Sequence, residues 1–275
     1  MMTTTFTTAT STTQSVPVAG GTIEVRHRGG GTPTAVFLPY WGGSAATWDA
    51  VVERLPRERG TVRYDPRGWG ASRGLPGPYG LERLADDLAA VVRELRLERY
   101  VLVGHSMGGK VAQLAAARRP AGLAGLVLVA PAPPEPPATV TPDYRRFLAG
   151  AYDSAQTVEQ ALDTALTATR IPDSVREAIV RDSLAADDAA RREWPLHGIA
   201  ADVTAAARAI EAPVLVLAAE HDRVEPPQVL RDHLLPHISH ARLDVVAGSG
   251  HLLPVEAPDA VATAVDRFIA TVTGG

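Results

Sequence analysis

The chain has 275 residues, of which 45% are apolar and 21% charged, as in one large soluble domain or one domain carrying an insertion. A net charge of −4 lacks the basic face of a nucleic-acid binder, and the absence of cysteine excludes disulfides, thiolate chemistry and cysteine-ligated metals. No run is long and apolar enough to span a bilayer, and the N-terminus "MMTTTFTTATSTTQ" has neither the basic residue nor the apolar core of a secretory signal. The expectation is a cytoplasmic protein acting on a small molecule, with no nucleic-acid or membrane partner.

Residues 1–15, polar and rich in threonine, read as a disordered tail. The strand-like runs "TIEVRH", "TAVFL" and "GTVRYD" follow, with Gly29-Gly30-Gly31 as a turn between the first two. In "LERLADDLAAVVRELRL", Leu81, Leu84, Leu88, Val91 and Leu95 recur at spacings of three and four and mark one face of a helix. "RYVLVG" is a strand, "GKVAQLAAARRP" a helix stopped by Pro120, and "LAGLVLVA" a further strand. Roughly 75 residues then pass before the next strand, far more than an ordinary connection needs. They read as helices that either cover a sheet edge or form a lid over the carboxyl ends of the strands; function concentrates in long loops, which favours the lid. The strands "APVLVLAA" and "ARLDVV" and the helix "APDAVATAVDRFIATV" complete the chain. Several strands are apolar throughout, as in a parallel sheet covered on both faces, so alternating strand and helix implies an α/β fold.

Two stretches match the string G-x-S-x-G: Gly104 to Gly108 around Ser106, and Gly70 to Gly74 around Ser72. Ser106 directly follows the apolar run "YVLVG" and directly precedes a helix. A turn that tight excludes side chains two residues before and after it, and it lifts the hydroxyl clear of the sheet near free helix N–H groups. Ser72 sits in a loop and reads as a turn residue. Ser106 is therefore the candidate nucleophile.

A serine hydroxyl needs a base, and the base needs an orienting group. Of eight histidines, His251 lies in the glycine-rich loop "VVAGSGHLLP" after the final strand, where it can reach across the strand ends. His105 is expected to point away from Ser106, and His197 to lie on the surface. His233, His237 and His240 fit no metal-ligand spacing. Asp222, just past the strand "VLVLAA", is the candidate orienting carboxylate, with Glu220 and Glu225 as rivals. The order Ser, Asp, His is that of hydrolases whose serine sits on a strand-to-helix elbow.

The motifs "GHSMGG", "YDPRGWGAS", "AEHD" and "GSGHLLPVEAPD" together resemble the α/β-hydrolase superfamily, from about Ala35 to the C-terminus. The resemblance implies a mostly parallel eight-stranded sheet with helices on both faces, with residues 16–133 and 211–275 as the core and residues 134–210 as a helical cap. It implies no cofactor and no metal. It also implies Ser106 as nucleophile, His251 as general base then acid, and Asp222 as the residue that fixes the imidazole. In the family one oxyanion donor is the N–H after the nucleophile, here Met107. Pro39 and Tyr40 stand where the family has His-Gly, which makes Trp41 the second donor. Tyr40 either enters the pocket or packs as a core aromatic, and the cap aromatics Tyr144, Phe147, Tyr152 and Trp194 are candidates to shape it; of all these, Tyr40, Phe147 and Trp194 are taken as the substrate contacts.

The expected activity is serine hydrolysis of a small to medium, largely apolar ester, lactone or thioester through an acyl-enzyme on Ser106. The same residues also serve C–C bond hydrolysis, lyase, perhydrolase and cofactor-free oxygenase chemistry in the superfamily. A ligand receptor that keeps the pocket without turnover is the alternative from another class.

Overall fold

A computed structural model describes residues 11–273. The strands are β1 (Thr12–Val18), β2 (Gly21–Arg28), β3 (Thr34–Leu38), β4 (Thr61–Tyr64), β5 (Tyr100–His105), β6 (Leu123–Val129), β7 (Val214–Ala219) and β8 (Arg242–Val246). They form one sheet in the order β1-β2-β4-β3-β5-β6-β7-β8. Pairs β1–β2 and β2–β4 are antiparallel, and every other neighbouring pair is parallel.

The helices in chain order are α1 (Asp49–Arg54), α2 (Leu81–Glu94), α3 (Met107–Ala117), α4 (Pro142–Ala149), α5 (Ala155–Ala161), α6 (Asp173–Leu184), α7 (Asp188–Leu196), α8 (Thr204–Arg208), α9 (Pro227–His233), α10 (Leu253–Glu256) and α11 (Pro258–Thr273). Strand alternation decides which layer each central residue joins. Tyr100 and Leu102 of β5 pack towards α2 and α3, among Leu84, Leu88 and Val111. Val101 and Val103 pack on the opposite face, with Trp48, Val261 and Ile269 from the α1 and α11 side. Each such fully buried aliphatic side chain stabilises the sandwich by about 1.5–3 kcal/mol, so the two-sided core is what holds the strand ends in place.

Two boundaries differ from the sequence reading. Thr12–Ser15, assigned to the tail, form the first half of β1 and pair with Ser15↔Glu24 and Thr12↔His27. The strand lies at the sheet edge, and of its seven residues only Val16 is buried, so its polar composition imitated a tail. Residues 1–10 of that tail lie outside the described residues. At the other boundary, α8 packs on α3 and its Ala207 joins the main core, so the last residues of the 134–210 segment belong with the core. Helices α4, α5 and α7 and a π-helical turn at Leu162–Leu166 line one cleft with Ser106, which follows the carboxyl end of β5, and Ser183 of α6 donates to the Gly42 carbonyl in the loop after β3 at 3.3 Å.

Candidate active site

Ser106 occupies the turn between β5 and α3 with φ 52 and ψ −116, a conformation that costs a non-glycine residue about 1–3 kcal/mol. The two flanking glycines make the turn possible. A Cβ on Gly104 would lie 2.5 Å from the Gly108 carbonyl oxygen, and one on Gly108 would lie 2.5 Å from that of Pro39. The Ser106 carbonyl accepts from the N–H groups of Gly109 at 2.9 Å, Lys110 at 3.2 Å and Ala132 at 3.1 Å, which holds the strained residue in place.

The three candidate side chains meet although they lie far apart in sequence. Ser106 Oγ is 3.0 Å from His251 Nε2. His251 Nδ1 is 2.9 Å from Asp222 Oδ2, and all three residues are buried. An ionised carboxylate accepts only, so His251 Nδ1–H donates to Asp222 and leaves Nε2 free to accept the serine proton. Asp222 Oδ1 also accepts from the N–H groups of Val224 at 2.8 Å and Glu225 at 2.9 Å. Burial pushes the Asp222 carboxyl up, but the His251 charge and hydrogen bond and these two N–H groups outweigh it, so its pKa falls below the ordinary value. Of the rivals, Glu220 is exposed and accepts from the Gly248 N–H at 2.8 Å, and Glu225 lies beside Asp222 without touching the imidazole.

Two residues that support His251 were missed in the sequence reading. His105 donates from Nε2 to the His251 carbonyl at 2.8 Å, and the two rings lie 5.3 Å apart. Burial first, then the nearby His251, lowers the His105 pKa to about 3, so the ring stays neutral. Its place at the end of an apolar strand was the available signal. Glu256 of α10 collects four donors: the N–H groups of Gly250 at 3.0 Å, Ala168 at 2.8 Å and Thr169 at 2.8 Å, and the Thr169 hydroxyl at 2.9 Å. With the Leu252 N–H bonded to the Leu166 carbonyl at 3.0 Å, this carboxylate ties the His251 loop to the end of the π-helical turn. The pattern "GHLLPVE" held no cue to that partner.

Met107 begins α3, so its N–H has no intrahelical acceptor, and among the described residues neither it nor the Trp41 N–H donates to the protein. Trp41 is held from the cap side. Its indole N–H donates to the Arg191 carbonyl at 2.9 Å, its ring stacks on Tyr152 at 4.0 Å, and its carbonyl accepts from the Tyr152 hydroxyl at 3.1 Å. Gly42, at φ +96, lies so close to Tyr152 that a Cβ there would come within 2.4 Å of the ring. The loop that departs from His-Gly is thus shaped by an aromatic residue 111 positions further along the chain.

A cleft of about 500 Å³ opens between the sheet and the cap, with Ser106 and His251 on its wall. Tyr40, Phe147 and Trp194 also line it. Tyr40 is 3% exposed and lies 5.2 Å from the His105 ring, so it both packs and faces the cleft, whereas Phe147 is 78% exposed. Ser72 sits buried in the short turn Gly70–Ser72 and takes no part in the cleft wall. His197 is exposed, and His237 Nε2 pairs with Glu135 at 2.7 Å. Among the described residues no group of three His, Cys, Asp or Glu side chains is placed to hold a metal, and no helix is long and apolar enough to cross a membrane.

The family model described as serine aminopeptidase, S33, matches residues 42–258. The chain belongs to this family, within the α/β-hydrolase superfamily. Several of its relatives carry the provisional name carbamate hydrolase RutD. That of Pantoea ananatis strain LMG 20103 is 38% identical over 97 residues, 35% of each chain, so the matched stretch spans about a third of that relative's length. That of Caulobacter sp. strain K31 is 29% identical over 86% of this chain and 90% of its own. Among solved structures, a thermophilic esterase from Thermogutta terrifontis, with malate bound, superposes with a TM-score of 0.78 at 28% identity, covering 96% of this chain and 99% of that one.

Proposed function

We propose that the protein is a serine hydrolase that cleaves a small to medium carboxylic ester, lactone or thioester through an acyl-enzyme on Ser106. The observation that carries the reading is the unbroken hydrogen-bonded line Asp222–His251–Ser106 at 2.9 and 3.0 Å beside a cleft. As the hydroxyl attacks the carbonyl, His251 Nε2 takes its proton, and Asp222 stabilises the resulting imidazolium. The N–H groups of Met107 and Trp41 receive the negative charge that develops on the carbonyl oxygen, a contribution worth about 100-fold or more per donor. His251 then returns the proton to the leaving group, and water, deprotonated in the same way, releases the acyl group.

Carbamate or amide cleavage is the second reading, favoured by the RutD relative that aligns along most of the chain. The site is small-molecule in scale, since the cleft of about 500 Å³ lies within the usual range for such pockets. Steady-state kinetics of the wild type and Ser106→Ala on p-nitrophenyl esters, lactones and carbamates test both. Ser106→Ala is expected to lose about a thousandfold or more on every substrate the wild type turns over. Substantial residual turnover would instead mean a reaction that needs only His251 and Asp222 as a base.

A further inference from the structure

We propose that Glu225 is a specificity-determining residue, its carboxylate anchoring a hydroxyl or amino group that the substrate carries apart from the bond that breaks. This rests on the serine hydrolase reading above and narrows its substrate class. The cleft wall is largely apolar, with Leu148, Leu166, Trp194 and Ile199 among its lining residues; Gln160, Thr164 and Arg223 also line it, the last donating to the Thr164 carbonyl at 3.1 Å. Glu225 belongs to the same wall and is 6% exposed.

Its main chain is pinned, because its N–H donates to Asp222 at 2.9 Å. Its carboxylate is not. Among the described residues no donor reaches it, and it does not belong to the sealed, unpartnered polar atoms of the core. It lines the cleft together with Tyr144, whose phenol pKa is raised by burial first and then by the charge of Glu225, and Lys110, one turn beyond Ser106 on α3, acts on Glu225 through its charge. Lys110 is fully buried, donates only to the Ile199 carbonyl at 3.4 Å, and forms no ion pair with Glu225.

A buried carboxylate without a donor is costly, and a leucine or valine would fill this wall at no such cost. Lys110 moderates the charge from a distance but leaves the carboxylate's lone pairs open to the cleft. A hydroxyl on the substrate satisfies them in either protonation state of Glu225, since it can donate or accept, and an ammonium, which only donates, does so to the carboxylate or to the carbonyl oxygen of the acid. A substrate lacking that group leaves the carboxylate unpaired once water is expelled, which is the arrangement that discriminates most strongly between analogues.

The test uses p-nitrophenyl butyrate, hexanoate and octanoate, each plain and with a terminal hydroxyl or amino group, and acetates of the matching alcohols, diols and amino alcohols for the leaving-group side. Wild type, Glu225→Gln and Glu225→Leu are compared by one readout, the ratio of kcat/KM for the donor-bearing ester to that for the plain ester of equal length. Partial folding losses cancel in that ratio. The wild type is expected to favour the donor-bearing ester by about tenfold or more at the best length, the ratio falling to about one or below in Glu225→Leu and between the two in Glu225→Gln. A wild-type ratio near one at every length, or an unchanged ratio in Glu225→Leu, would overturn the inference. Fluorophosphonate labelling of Ser106 on the same samples separates the two levels. Labelled enzyme with a ratio near one overturns only the role of Glu225, whereas unlabelled wild type overturns the hydrolase reading beneath it.

Discussion

The elbow and the cap side of the cleft are built in opposite ways. Ser106 owes its place to its immediate neighbours: two glycines without which the turn would clash, and a carbonyl bonded to three N–H groups close in sequence or space. Trp41 and the His251 loop owe theirs to distant partners. Tyr152 stacks on and hydrogen-bonds the first, and Glu256 ties the second to Ala168 and Thr169. The difference teaches that the candidate nucleophile is a local feature of the core, while Trp41 and His251, the proposed oxyanion donor and base, are only as well placed as the cap that touches them. Changes at the elbow should therefore be severe and confined, and changes on the cap side graded and coupled.

Replacing Ser106 by glycine separates strain from chemistry. Activity is expected to fall by about a thousandfold or more, while the fold gains about 1–3 kcal/mol by relief of the positive φ, seen as a raised Tm. A Tm that falls instead would mean that the turn is not strained. The next effect is acid stability. The pKa of His105 is lowered from 6.5 to about 3, so the unfolded chain binds a proton that the folded chain refuses. The stability this group contributes is present above pH 6.5 and drains away as pH falls towards 3, by at most about 1.4 kcal/mol per pH unit. In His105→Gln the Tm should decline less steeply across that window, and an identical slope would remove His105 from the explanation. Asp222, whose pKa is lowered from 3.8, contributes stability that is fully present above pH 3.8 and is lost as pH falls from there through its lowered value.

On the cap side, Glu256→Ala removes three hydrogen bonds from cap residues Ala168 and Thr169 and one from Gly250 in the His251 loop, and kcat is expected to fall about tenfold with KM little changed. A change in KM alone would mean that the clamp shapes the cleft rather than the base. Tyr152→Phe is the mildest test. It keeps the stacking on Trp41 and removes one hydrogen bond of about 1 kcal/mol, so kcat should drop a few-fold. If kcat is unaffected, the Trp41 N–H is aimed without help from Tyr152.

This division also explains what could be seen in the sequence. The α/β alternation and the choice of Ser106 over Ser72 follow from residues whose neighbours in sequence set their conformation, and Asp222 and His251 were legible from their positions just past the last two strands. The Trp41–Tyr152 stack, the bond from His105 to the His251 carbonyl and the reach of Glu256 to Thr169 join segments far apart in the chain, and no local pattern encodes such pairings. Residues 12–15 were misjudged for a related reason, since an edge strand needs little apolar surface and β1 buries Val16 alone. Glu225 was weighed as a rival to Asp222, and nothing in "HDRVEPP" distinguishes a carboxylate on the imidazole from one that faces the cleft.

A fluorophosphonate probe followed by mass spectrometry of the tryptic peptide 100–110, on wild type and His251→Ala, reaches the central point most directly. If a neutral imidazole draws the proton from Ser106, the wild type takes up one label per chain on that peptide and His251→Ala labels far more slowly. Labelling on another serine, or an equal rate in the variant, would contradict it.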